Sequence, residues 1–390
     1  MERFTALERQ YLAEVMDNGF ATSFNSVFNS RFEQKFAHMY GVPYAIGHVN
    51  GTATLHTALV ALGVKPGDEV IVPPLTMSST ALAVLQAQAV PVFADVDPDT
   101  FNIDPRAVKS CITKKTRAIM SVSLYGLPPD YDGLLAVCRD HGLALVEDNA
   151  ESFLSTFRGK LVGRFGEFAS FSFQASKHLT AGEGGVLVTP KEELADAARR
   201  FGSLGYAGVS AKQGKITRND IQDPRYSRHV SLGFNYRMSE LAAAVLLGQL
   251  ERAEELVRQR VEVARIFERV VAASPKARPQ KIPAECTHSY WTYAFSLKTN
   301  EPETSWYRFR DRFQLLGGDG FYAAWKLSYF EPLFLNEIQC MPGVWQHYGA
   351  GLCPNAEFLQ SRMVQLKTNY WNFDEAKRQA DLLGAALDGF

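Results

Sequence analysis

Residues 171–185 read Phe-Ser-Phe-Gln-Ala-Ser-Lys-His-Leu-Thr-Ala-Gly-Glu-Gly-Gly, which sets one lysine, Lys177, between a short apolar run and a glycine-rich turn. An amine attacks a carbonyl only when unprotonated, and desolvation or a nearby positive charge moves a lysine toward that state. Flanked by alanine and hydroxyl residues after an apolar strand, Lys177 is expected near a sheet edge rather than on a charged helix face; a plain surface-loop lysine is the alternative. A second run, Val146-Glu147-Asp148-Asn149-Ala150-Glu151, ends an apolar strand in acidic residues. Ligands of an open parallel sheet bind beyond the carboxyl ends of its strands, so Asp148 falls where a cofactor can sit, although such carboxylates also cap the following helix. A third run passes from a strand through Asn50-Gly51-Thr52 into a hydroxyl-rich helix start. Backbone amides and Thr hydroxyls at a helix N-terminus suit a phosphate, and the same residues also make an ordinary turn and cap.

The three runs together divide the tasks of one cofactor. Pyridoxal phosphate needs an amine for its aldehyde, a carboxylate to keep its pyridine nitrogen protonated, and amides with hydroxyls for its phosphate. Lys177, Asp148 and residues 51–54 match those needs one for one.

Positioning them is the work of an α/β domain. Between residues 44 and 189, β-rich runs at 44–48, 69–72, 90–94, 118–123, 144–147, 169–173 and 185–189 alternate with helical spacing at 52–62, 79–88 and 134–141. Several runs are apolar throughout, as in strands covered on both faces, so a mostly parallel seven-stranded sheet is predicted. Gly63 and Gly142 are expected to stop two of the helices. Residues 204–230 are glycine-rich, charged and aperiodic, and are read as a mobile loop serving as lid or partner contact. One long helix is predicted from Ser239 to about 270. After residue 275, strand-like and helical pieces (290–297, 303–316, 373–387) predict a smaller α+β domain, giving a large domain over 1–255 and a small one over 256–390.

Bulk properties narrow the partners. A formal net charge of −1 with 21% charged residues gives no broad pull toward nucleic acid or an anionic membrane. No signal-peptide pattern and no apolar stretch of membrane-spanning length is read. The five cysteines form no CxxC pair and no metal spacing with histidine, so free thiols in a reducing cytoplasm and no metal site are expected.

Over residues 32–250 the chain resembles the sugar aminotransferases of the DegT/DnrJ/StrS family, which have the aspartate aminotransferase fold, type I of the pyridoxal-phosphate enzymes. The resemblance rests on Gly67-Asp68-Glu69-Val70-Ile71-Val72-Pro73, Pro91-Val92-Phe93-Ala94-Asp95-Val96-Asp97, Glu147-Asp148, Phe171-Ser172-Phe173 with Lys177, Gly182-Glu183-Gly184-Gly185 and Asn235-Tyr236-Arg237-Met238. It implies that Lys177 binds the cofactor's aldehyde and then shuttles the proton, and that Asp148 pairs with the pyridine nitrogen. It further implies that Gly51, Thr52 and Ser172 hold the phosphate, with Asn235 entering from the neighbouring subunit of a homodimer. Glu151 stands where the family commonly has glutamine beside the ring hydroxyl. Met77 stands where an aromatic residue usually covers the cofactor ring, and a thioether can cover a π face too.

Two further residues bear on the substrate. Members that dehydrate a keto-sugar carry histidine in place of the lysine; alignment on the flanking motifs puts Lys177 at that position and His178 one residue on. His178 is therefore read as a polar neighbour, substrate-facing or structural. The family's His-Tyr-x-Pro stretch is replaced here by Gly318-Asp319-Gly320-Phe321-Tyr322-Ala323-Ala324-Trp325, with Tyr322 a candidate substrate contact. The implied reaction is transfer of an amino group from L-glutamate to a nucleotide-linked keto-deoxysugar. Alternatives are a sugar or sugar acid without nucleotide, a cyclitol or cyclic ketone as in the enzymes that make aminohydroxybenzoate, a keto-sugar dehydratase, and a non-catalytic homologue.

Overall fold

The computed structural model describes residues 2–21, 25–212 and 222–390. In chain order its first strands are β1 (Tyr44–His48), β2 (Glu69–Val72), β3 (Val90–Phe93), β4 (Thr116–Val122), β5 (Ala144–Asp148), β6 (Thr156–Phe157), β7 (Lys160–Leu161), β8 (Phe168–Ser172) and β9 (Gly185–Thr189). Seven of them form the central sheet in the order β1-β9-β8-β5-β4-β2-β3. The run from β8 to β3 pairs in parallel, while β9 is antiparallel to both of its neighbours, as the apolar runs predict for a mostly parallel sheet.

Residues of one strand alternate between two cores. Val70 and Val72 face one hydrophobic cluster with Met120 and Val146, whereas Ile71 faces the other with Ile119 and Leu145. Burial on both faces is what lets β2 read as an unbroken apolar run. Helix Tyr131–His141 ends at Gly142 in the left-handed region (φ 66°), the stop expected there.

The helix expected from Ser239 to about 270 is two helices, Glu240–Glu251 and Ala253–Ala273, broken at Arg252 (φ −117°, ψ 15°). Arg252 donates to Glu8, Glu255 and the carbonyl of Glu2, so the break is held by the N-terminal segment. The second helix then packs into a third core with β12 (Thr292–Leu297), β13 (Met363–Lys367) and helix Phe373–Asp388; β10 (Ala277–Pro279) completes that sheet, and β11 (Cys286–Thr287) pairs with β6. Of the segment read as a mobile loop, residues 213–221 lie outside the described residues. Its flanks pair with each other, Ala207 N donating to Arg228 O and Val230 N to Gly205 O, both at 2.8 Å.

The chain between residues 327 and 359 returns to the large sheet. Tyr329, Phe334 and Tyr348 pack edge-on against Phe93 with centroids 5.4, 5.7 and 5.4 Å away. The Gln346 amide covers the open edge of β3, accepting from Phe93 N at 2.7 Å and donating to Phe93 O at 2.9 Å.

Candidate active site

β8 lies between β5 and β9, so Lys177 sits beyond the carboxyl end of an interior strand rather than at a lateral sheet edge. The loop carrying it is closed at its base by Phe173 N donating to Gly184 O (2.8 Å) and Thr180 Oγ1 donating to Phe173 O (3.0 Å). Lys177 Nζ lies 3.7 Å from Glu151 Oε1 and 4.0 Å from the centroid of the Trp291 ring. Burial pushes its amine down from the usual lysine value, while Glu151 and Asp148 pull it back up.

Asp148 closes the adjacent strand β5 and is buried. Its Oδ2 accepts from Thr80 Oγ1 at 2.9 Å and its Oδ1 from Ala150 N at 3.1 Å. Burial raises its pKa, and those two bonds and Lys177 oppose the rise. Among the described residues no lysine, arginine or histidine forms an ion pair with it, which leaves this carboxylate able to face a cationic ring nitrogen. Glu151, also buried, accepts from Tyr125 N at 2.9 Å, an amide aimed by the left-handed backbone of Tyr125 (φ 61°). Burial pushes Glu151 up to about 7 against the pull of Lys177.

The third side of the site is the start of helix Gly51–Ala61. Asn50 caps it by accepting from Ala53 N at 2.8 Å, and the amides of Gly51 and Thr52 have no carbonyl one turn earlier to bond. A Cβ on Gly51 would stand 2.9 Å from Ser172 Cβ and 3.3 Å from its Oγ, so glycine lets the end of β8 approach the helix closely. Thr52 Oγ1 donates to Ser79 Oγ at 3.1 Å, at the start of helix Ser79–Gln86. Unpaired amides with hydroxyls beside them form a set of donors for a phosphate.

These pieces line one cavity of about 410 Å³. It gathers Gly51, Thr52, Met77, Asp148, Glu151, Ser172 and Lys177, seven of the ten residues singled out in the sequence. The other three lie elsewhere. His178 is buried with its Nε2 2.9 Å from Ser289 O, and desolvation drives its pKa well below the usual histidine value. Tyr322 is 67% exposed and pairs through its backbone with Gln365. Asn235 is exposed and bridges to Ser203, away from the cavity of its own chain. The cavity adds Trp291 and Trp325, stacked with centroids 5.8 Å apart and planes 17° apart. In sequence Trp291 belongs to the aromatic run 290–293, read as a packing strand of which one ring could line the sugar pocket, and Trp325 ends the stretch 318–325 that replaces His-Tyr-x-Pro near the substrate; neither ring is singled out.

A desolvated lysine amine and a buried carboxylate beyond adjacent strands of this sheet are the pattern of one class, the fold type I pyridoxal-phosphate aminotransferases. Residues 3–369 match the DegT/DnrJ/EryC1/StrS aminotransferase family, and the chain belongs to it. It is 39% identical over 298 residues to a GDP-perosamine synthase of Caulobacter vibrioides, which covers 76% of each chain. A GDP-perosamine synthase of Escherichia coli O157:H7 is 35% identical over 76% of this chain and 77% of its own length. Among solved structures, 3-amino-5-hydroxybenzoic acid synthase superposes with a TM-score of 0.88 at 30% identity, over 99% of this chain and 97% of that one.

Proposed function

We propose that this chain is a pyridoxal-phosphate-dependent aminotransferase that takes an amino group from L-glutamate and delivers it to the carbonyl of a nucleotide-linked keto-deoxysugar. The observation that carries the reading is that Lys177 lines one cavity with Asp148, a buried carboxylate that forms no ion pair among the described residues. The cofactor, when bound, supplies the electron sink that the chemistry needs. Lys177 offers the amine for the aldehyde and then carries a proton between its own Nζ and the substrate carbon. Asp148 keeps the pyridine nitrogen charged. The Gly51 and Thr52 amides with Ser172 Oγ would hold the phosphate, the Met77 thioether would cover the ring, and Glu151 would serve the ring hydroxyl. Asn235 completes the phosphate site from a second copy of the chain, making a homodimer the active unit. The large domain over 1–255 would hold the cofactor and the small one over 256–390 flank the substrate. Five free cysteines suit a reducing cytoplasm.

The nucleotide-sugar substrate draws on the perosamine synthases it resembles. A second reading, a cyclic ketone without nucleotide, draws on the end-to-end likeness to 3-amino-5-hydroxybenzoic acid synthase and on the flat wall of Trp291 and Trp325.

Purified protein should be yellow, and borohydride should fix the cofactor on the Lys177 peptide. L-Glutamate should bleach the colour, and a panel of GDP- and dTDP-linked keto-sugars, free keto-sugars and cyclic ketones should reveal which acceptor restores it. A colourless protein that takes up no cofactor would sink the reading; colour restored only by cyclic ketones would favour the second.

A further inference from the structure

Among the described residues Arg260, on helix Ala253–Ala273, is the largest side chain sealed from solvent, at 1% exposure. Its Nη2 donates to the carbonyls of Ser176 and Lys177, both at 2.9 Å. Its Nη1 donates to Trp291 O at 2.9 Å and to Thr368 Oγ1 at 3.2 Å. All four acceptors are carbonyl or hydroxyl oxygens, and its Nε is buried with no hydrogen-bond partner. Among the described residues no carboxylate neutralises it. A buried charge without a counter-ion is costly to hold even when it is hydrogen-bonded.

We propose that Arg260 is a positioning residue for the Lys177 amine: one planar guanidinium ties the lysine's backbone to that of Trp291, fixing amine against indole, and places a positive charge without a carboxylate partner behind the loop that carries the amine. The inference rests on Lys177 being the cofactor's amine. Other charged or titratable groups face Lys177 as well. Glu151 and Asp148 favour its ammonium form, whereas burial and Arg260 oppose it. Arg3 holds the same loop, its Nη2 donating to Ala175 O and Lys177 O at 2.6 and 3.1 Å. His178 and His288 are kept neutral by burial. Burial and Arg3 lower Arg260 itself to about 9, so it still carries its charge at neutral pH.

The test begins with borohydride fixation in the parent holoenzyme; failure to label the Lys177 peptide would sink the functional reading, not this one. The inference is then read from two pH midpoints. One is that of acetic anhydride labelling of Lys177 in cofactor-free protein, followed by peptide mass; the other is that of the holoenzyme's visible absorbance. The parent's labelling midpoint should lie below the usual lysine value of about 10.4, and a parent at or above that value overturns the proposal even if every variant fails to fold. Arg260→Met should raise both midpoints by about one unit, while Arg260→Lys, which keeps the charge, should move them by less than about 0.3. If both variants merely lower the melting temperature and leave the midpoints in place, Arg260 is a structural cross-link and the proposal is wrong.

Discussion

Trp291 and Lys177 hold each other from both ends: the amine lies 4.0 Å from the indole centroid, and the indole Nε1 donates to the carbonyl of Ser176, one residue before the lysine, at 3.0 Å. The ring thereby fixes the loop and also stabilises the charged form of the amine it faces. Its effect on the amine's protonation is opposite in sign to that of Arg260.

Replacing Trp291 with leucine removes a cation–π contact of about 1 kcal/mol, so the pH at which Lys177 becomes reactive should fall by about 0.7 unit. Trp291→Phe should shift it less. Labelling of Lys177 across pH measures both, and an unmoved midpoint in the leucine variant would remove the ring from the account of the amine.

Glu151 governs a stability limb of known sign. In the cofactor-free fold burial holds its pKa at about 7, above the ordinary value of 4.5. Between those values the native chain binds more protons than the unfolded one, so stability falls as pH rises, and above pH 7 the full cost, on the order of 3 kcal/mol, is present. Glu151→Gln cannot ionise, so its melting temperature should decline less than the parent's from about pH 5 to 7.5. Equal slopes in calorimetry would refute this.

Gly51→Ala places a methyl group 2.9 Å from Ser172 Cβ, between backbone elements with little freedom to part. A cost of about 1–3 kcal/mol is expected from overpacking, together with faster loss of cofactor on dialysis as Ser172 is pushed off the helix N-terminus. Urea midpoints report the first effect and absorbance after dialysis the second; retention equal to the parent's would count against the phosphate role of this corner.

Asn235→Ala should weaken cofactor retention without changing the melting temperature of the cofactor-free chain. If the site is shared, mixing this variant with Lys177→Ala should restore some activity, because one site of each mixed dimer then has both Lys177 and Asn235. Two inactive variants that stay inactive after verified subunit exchange would contradict the shared site.

Strands whose two faces are both buried were the most legible part of the sequence. The runs at 44–48, 69–72 and 185–189 coincide with β1, β2 and β9, because continuous apolarity and flanking turns leave little room for another assignment. The cavity residues that follow a strand or open a helix, Asp148, Lys177 and Gly51, were legible for the same reason: their chemistry is tied to the end of an element. Trp291 and Trp325 were legible only as stretches that could border the substrate and not as individual rings, since each reaches the site through tertiary packing of a segment more than a hundred residues away from Lys177. The break at Arg252 was hidden too. No glycine or proline marks it, and it depends on Glu8 and Glu2 from the far end of the chain. His178 shows the opposite case, a residue next to Lys177 in sequence whose ring turns away to Ser289.

The return of residues 327–359 to the large sheet limits how the molecule can breathe. Asp95, just past β3, receives the amides of Asn355 and Ala356 at 2.9 Å each, and Phe93 is gripped by three rings and by Gln346. Swinging β12 and β13 open like a jaw would have to tear these attachments a short distance downstream of Trp325. Any such swing is thereby coupled to the β3 edge of the large sheet, so the small sheet moves with that edge unless these bonds break.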